Sequence, residues 1–117
     1  MTPQVEALVR STLVDLDNDE CDLDWVLSNR VREACPDAPY DVLKQITLQV
    51  VAELIGRGLA KPHLLGETYE TADPDLPVLE QIRHGWDRCG ERLSMGDVAY
   101  FSITAAGRAA VRSATQP

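Results

Sequence analysis

One helix constrains this chain more than any other feature. Val42, Leu43, Ile46, Val50, Val51, Leu54 and Ile55 recur at helical spacing and cover well over half of a helix circumference. A helix that apolar must be surrounded, so the other elements have to pack around it. One stripe stays polar, made of Asp41, Lys44, Gln45, Gln49 and Ala52 with Leu48 in its midst. Asp37 is placed to cap the helix, with Pro39 in its first turn. Gly58 follows as the left-handed residue common just past a helix end, and Arg57 complements the dipole.

Two helices precede it. Thr2-Pro3 is a hydroxyl cap followed by proline at the first helical position, and Val5, Leu8, Val9, Leu13 and Leu16 continue the pattern. Asp17 to Asp22 interrupts. A second helix starts from Asp22 or Asp24, turns Leu23, Val26, Leu27, Val31 and Ala34 inward, and ends at Pro36. After Gly58 the texture changes. Leu59 to Leu65 reads as a short strand, and Val98 to Thr104 as its antiparallel partner. Residues 66–97 lie between them, too many for a simple loop. This insertion carries its own helix, with Asp75 as cap, Pro77 in the first turn, Leu79, Ile82, Trp86 and Cys89 on one face and Gly90 as stop. Thr104 caps a short last helix from Ala105 to about Arg112, and residues 113–117 are expected to fray.

An apolar helix running into Gly58-Leu59-Ala60, joined to the distant passage Tyr100-Phe101-Ser102-Ile103-Thr104-Ala105-Ala106-Gly107-Arg108, resembles a winged helix. The resemblance covers about residues 22–66 and 98–112. It implies an α+β, mostly helical fold: a three-helix core, a two-stranded β-hairpin, a helix inserted in the wing and a short C-terminal helix. Another small α+β fold with a two-stranded hairpin is the alternative. A chain of 117 residues matches one domain, expected to span 1–117.

Most winged helices bind DNA, and the resemblance would place Tyr40, Asp41, Lys44, Gln45 and Gln49 in the major groove. The charge opposes that use. The chain holds 19 acidic and 11 basic residues, and a surface with so few cations neutralises few phosphates. The imbalance is also lopsided, with 16 acids and 6 bases in residues 1–82 against 3 acids and 5 bases in the remainder. Its sharpest patch is Asp15, Asp17, Asp19, Glu20, Asp22 and Asp24, with Trp25 beside it. Glu67, Glu70, Asp73 and Asp75 form a second cluster in the insertion. A dense carboxylate patch steers cationic partners, and an exposed Trp25 would anchor one. A solvated loop capping the second helix, with Trp25 buried against the first, is the plainer reading. Alternating Asp15, Asp17 and Asp19 also suggest calcium, but no Gly stands at the sixth position and Val26 occupies the twelfth.

No sequence motif for catalysis or for a cofactor stands out. Cys21, Cys35 and Cys89 are odd in number and lack CxxC spacing. Cys35 and Cys89 read as small core residues, whereas Cys21 sits among acids whose field raises its pKa. His63 and His84 are too few for most metal sites. Trp86 and Phe101 read as core. No apolar run is long enough to span a membrane, and the N-terminus has no secretory pattern, which implies a cytoplasmic address. The expectation is a non-catalytic protein with no cofactor and no metal that binds a basic protein. Its most concrete form is an immunity or antitoxin-type neutraliser of a basic toxin or nuclease. The alternatives are a DNA-binding transcriptional regulator, dimeric through the N-terminal helix, and an accessory subunit of a larger assembly.

Overall fold

The computed structural model describes residues 2–115. Helix α1, Pro3–Asn18, starts as its sequence dictates: the Thr2 hydroxyl accepts from the Val5 N–H at 3.1 Å and Pro3 opens the first turn. It buries Val5, Leu8, Val9, Leu13 and Leu16. Asp22 caps α2, which spans residues 23–34, by accepting from the Trp25 N–H at 2.9 Å. A π-helical turn over Leu27–Val31 widens α2 at its middle while Leu27 and Val31 stay buried. Helix α3, Tyr40–Gly56, buries Leu43, Thr47, Leu48, Val50, Val51 and Leu54.

The expected cap of α3 is not where the chain puts it. Pro39, not Asp37, is the N-cap, with no side-chain bond to the first turn. A proline disfavours the helical region for its predecessor, so Ala38 cannot extend the helix backwards to Asp37. Val42 is exposed and Leu48 is buried, which rotates the apolar face from the one expected.

The sheet has three antiparallel strands rather than the expected two. Strands β1 (Cys21–Asp22), β2 (Ala60–Leu64) and β3 (Ala99–Ile103) lie in the order β1-β3-β2. Cys21 pairs with Phe101 and Asp22 with Tyr100, while on the other side Ala60 pairs with Ile103 and His63 with Tyr100. A two-residue strand carries no period, so β1 exists only through its pairing. The fold is α+β and mostly helical, with three helices before the β2–β3 pair.

Gly58 takes a φ of 68° just past α3, and the chain then enters β2. The end of α3 and the start of the last helix, α6 (Ala105–Thr115), are clasped together. Thr104 donates its N–H to the Leu59 carbonyl at 3.2 Å and its hydroxyl to the Gly58 carbonyl at 2.6 Å. The same hydroxyl accepts from the Gly107 N–H at 3.0 Å, capping α6. Helix α6 runs three residues beyond Arg112, into the segment expected to fray, and residues 116–117 lie outside the described residues.

Between β2 and β3 the insertion forms α4 (Gly66–Glu70), α5 (Val78–Cys89) and a 3₁₀ turn (Gly90–Arg92). Pro77 rather than Asp75 is the N-cap of α5, because Asp75 belongs to the turn before it, where its N–H donates to Asp73. Helix α5 is part of the core. Ile82 and Trp86 are fully buried, and the Trp86 indole donates to the Tyr40 hydroxyl at 2.8 Å, which itself donates to the Gly90 carbonyl at 3.0 Å.

The Thr12 hydroxyl of α1 is fully buried without a hydrogen-bond partner among the described residues. A buried polar atom left unpaired costs its desolvation with nothing in return. Thr12→Val keeps the shape and removes the hydroxyl, and should raise stability by about 1 kcal/mol in chemical denaturation. A loss of that size would show that the hydroxyl has a partner in solution.

Candidate functional site

Successive residues of a strand point to opposite faces. On β3, Ala99 and Phe101 are buried, so Tyr100 and Ser102 are turned to the outer face of the sheet. Opposite Tyr100 stand Asp22 on β1 and His63 on β2, and these three form a row across all three strands. The His63 ring stacks on Tyr100 with centroids 4.4 Å apart and planes 11° from parallel. His63 Nε2 lies 2.8 Å from Ser102 Oγ, which further limits the ring.

Tyr100 is shared by two surface depressions. One, of about 210 Å³, is lined by Glu20, Cys21, Asp22, Trp25, Met95 and Tyr100. The other, of about 410 Å³, is lined by His63, Leu64, Leu65, Gly66, Tyr69 and Tyr100. Six large apolar side chains are exposed among the described residues, and three of them surround this face: Trp25 at 40%, Tyr69 at 68% and Met95 at 76%. Carboxylates stand at both sides. Asp19 and Glu20 precede β1 and Asp22 ends it, and Glu67 and Glu70 share α4 with Tyr69.

The acidic residues singled out from the sequence do not act as one patch. Asp15 is half-buried and bonded through both oxygens to the Arg30 guanidinium, and it accepts the Trp25 indole N–H at 3.4 Å. The bonds from Arg30 hold the Asp15 carboxyl below its ordinary pKa. Asp17 pairs with Arg108 at 3.3 Å. Asp24 accepts from the Ser28 hydroxyl at 3.2 Å, and Asp19 from the Glu20 N–H at 2.8 Å. Asp22 bonds both Trp25 and the Gly96 N–H, the latter at 2.8 Å. Of the six, only the Glu20 carboxylate has neither a hydrogen-bond nor an ion-pair partner among the described residues. Glu20, Asp22 and Trp25 therefore meet at one depression, while Asp15 acts behind it through Trp25.

Met95, Tyr100, His63 and Tyr69 were not among the expected site residues. For Tyr100 a signal existed: with Phe101 in the core, its neighbour must face outward. Nothing local marks Met95, which Asp22 brings to β1 from 73 positions away through the adjoining Gly96.

The polar stripe of α3 faces a second groove, of about 620 Å³, lined by Asp41, Lys44, Gln45, Leu48, Gln49 and Ala52 together with Leu79, Arg83 and Asp87 of α5. Tyr40 is bound into the core through Trp86 and Gly90. Lys44 pairs with Asp87 at 2.5 Å and lies over the Trp86 ring, 5.5 Å from its centroid. Gln45 and Gln49 are exposed. The two bases of this groove face two acids.

The raised pKa expected for Cys21 holds, whereas the core placement expected for Cys35 and Cys89 needs correction. Cys21 is the buried one, and Cys35 and Cys89 are only half-buried. Burial first, and then Asp15, Asp19 and Asp22, push the Cys21 thiol up to about 11, so it is uncharged at neutral pH. Among the described residues, no three His, Cys, Asp or Glu side chains are grouped to hold a metal ion. No described helix is long and apolar enough to cross a membrane. Comparisons with protein-family models, with curated proteins and with solved structures returned no match, so the geometry itself has to carry the functional reading.

Proposed function

We propose that this chain is a non-catalytic, winged-helix-like module that binds a basic protein on the outer face of its sheet. The observation that carries the reading is the row Asp22, Tyr100, His63, extended by the exposed Trp25, Met95 and Tyr69 and flanked by carboxylates. Aromatic and methionine side chains dominate the energetic centres of interfaces, and charged rims set partner choice and encounter rate. A net charge of −8 adds long-range attraction for a cationic surface. The most concrete form is an immunity or antitoxin-type protein that occupies a basic toxin or nuclease.

The winged-helix assignment is supported by the order helix, strand, helix, helix, strand, strand that remains once the two inserted helices and the last helix are set aside, and by the β1-β3-β2 arrangement. That order also favours the second reading, a transcriptional regulator with α3 on an operator. Against it, Tyr40 and Lys44 are engaged within the molecule and the groove beside α3 is balanced in charge. A role as accessory subunit would use the same sheet face. The test is to capture the partner from the protein's own cell and map its footprint on this chain residue by residue.

A further inference from the structure

We propose that the depression between Trp25, Met95 and Tyr100 receives one basic side chain, a lysine or arginine, presented by the partner. This deepens the reading above and rests on it. The site is built by a single carboxylate. One oxygen of Asp22 accepts from the Trp25 N–H at the start of α2, and the other accepts from the Gly96 N–H next to Met95. Two walls that are far apart in sequence are thereby held at one spacing, with Tyr100 of the paired strand between them.

Both aromatic walls are set before anything binds. The Trp25 indole N–H is bonded to Asp15, which Arg30 grips through both oxygens. Tyr100 is stacked on His63. Side chains already ordered lose little freedom on binding, so less of the contact energy is offset. Cys21 contributes an uncharged thiol to the lining.

The occupant follows from charge and shape. The volume of about 210 Å³ suits one long side chain rather than a segment of chain. Met95, Cys21 and the ring faces can cover an aliphatic stem, as lysine and arginine stems are covered elsewhere on protein surfaces. The same faces attract a cation, and Glu20 and Asp22 supply the opposite charge. Glu20 has no other side-chain partner among the described residues, so it is available to a guanidinium or an ammonium. An acidic occupant would meet two carboxylates, and a neutral one would leave Glu20 unanswered.

The experiment titrates the full chain with capped ten-residue peptides of alternating glycine and arginine, lysine or citrulline. Citrulline keeps the shape of arginine without its charge. Binding is read at low salt by calorimetry and by the emission of Trp25, the other tryptophan being buried. The arginine or lysine peptide should bind at least tenfold more tightly than the citrulline peptide and change the emission. Glu20→Gln, an exposed substitution with little bearing on folding, should weaken it several-fold, and Trp25→Phe should remove the optical change. Asp41→Asn, which takes the same charge from the α3–α5 groove, should have a clearly smaller effect. Equal binding of the citrulline peptide, or equal weakening by Glu20→Gln and Asp41→Asn, would overturn the proposal by showing shape alone or diffuse attraction. The two readings separate on the captured partner. If Tyr69→Ala weakens the complex while Glu20→Gln and Trp25→Ala do not, the sheet face stands and this pocket falls.

Discussion

Trp86→Ala is expected to cost about 3 to 5 kcal/mol, enough to unfold much of a protein of ordinary marginal stability. The indole is fully buried, with Tyr40 edge-on to it at a centroid distance of 6.4 Å. Truncation leaves a cavity where α5 meets α3 and strips the Tyr40 hydroxyl of the indole N–H it accepts. Lys44 also loses the ring beneath it. The insertion is thereby a structural part of the fold, and its loss should be felt by the whole molecule. Denaturant unfolding followed by circular dichroism should show the midpoint falling with an unchanged slope. A midpoint equal to that of the parent would mean that Trp86 is exposed, and the packing of the insertion would have to be redrawn.

Gly107→Ala should cost about 3 kcal/mol, against the ordinary preference of helices for alanine. In a solvent-exposed helix the exchange gains roughly 1 kcal/mol. Here a Cβ would lie 2.2 Å from the Leu59 carbonyl oxygen and 2.7 Å from Ile103 Cγ1. The first is backbone, so it cannot turn aside, and relief requires α6 to move off the end of α3. That movement also breaks the bonds from Thr104 to Gly58 and Leu59. Overpacking of this kind typically costs 1 to 3 kcal/mol, and a backbone obstacle belongs at the upper end. Thermal unfolding should show a fall of several degrees or more, and a rise would mean that α6 sits farther from Leu59 than the structure has it.

The same clasp shows why some of the fold was legible. Gly58-Leu59-Ala60 and Thr104-x-x-Gly107 stand 44 or more residues apart, yet each signals its own local event, a helix end and a helix start. Periodicity revealed α1, α2, α3 and α5 because each is long enough to repeat, and the Thr104 cap marked α6. Strand β1 was hidden because two residues cannot repeat, and its existence depends on β3 being alongside. The start of α3 was misplaced because Asp37 is a good capping residue, and the constraint from Pro39 outweighs it. The candidate site was legible only in part. Glu20, Asp22 and Trp25 lie in the acidic run, but the run alone does not show that Arg30 and Arg108 take Asp15 and Asp17. His63, Tyr100 and Met95 join them only through strand pairing and the Asp22–Gly96 bond.

In the proposed function the outer sheet face, not the exposed stripe of α3, meets the partner. Chemical-shift mapping of the isotope-labelled chain, titrated with the unlabelled captured protein, tests it most directly. A basic partner is expected, with shifts concentrated at residues 19–25, 63–70 and 95–102, and with 41–49 and 79–87 little changed. Shifts confined to α3 and α5, or a captured partner that is neutral or acidic, would contradict it.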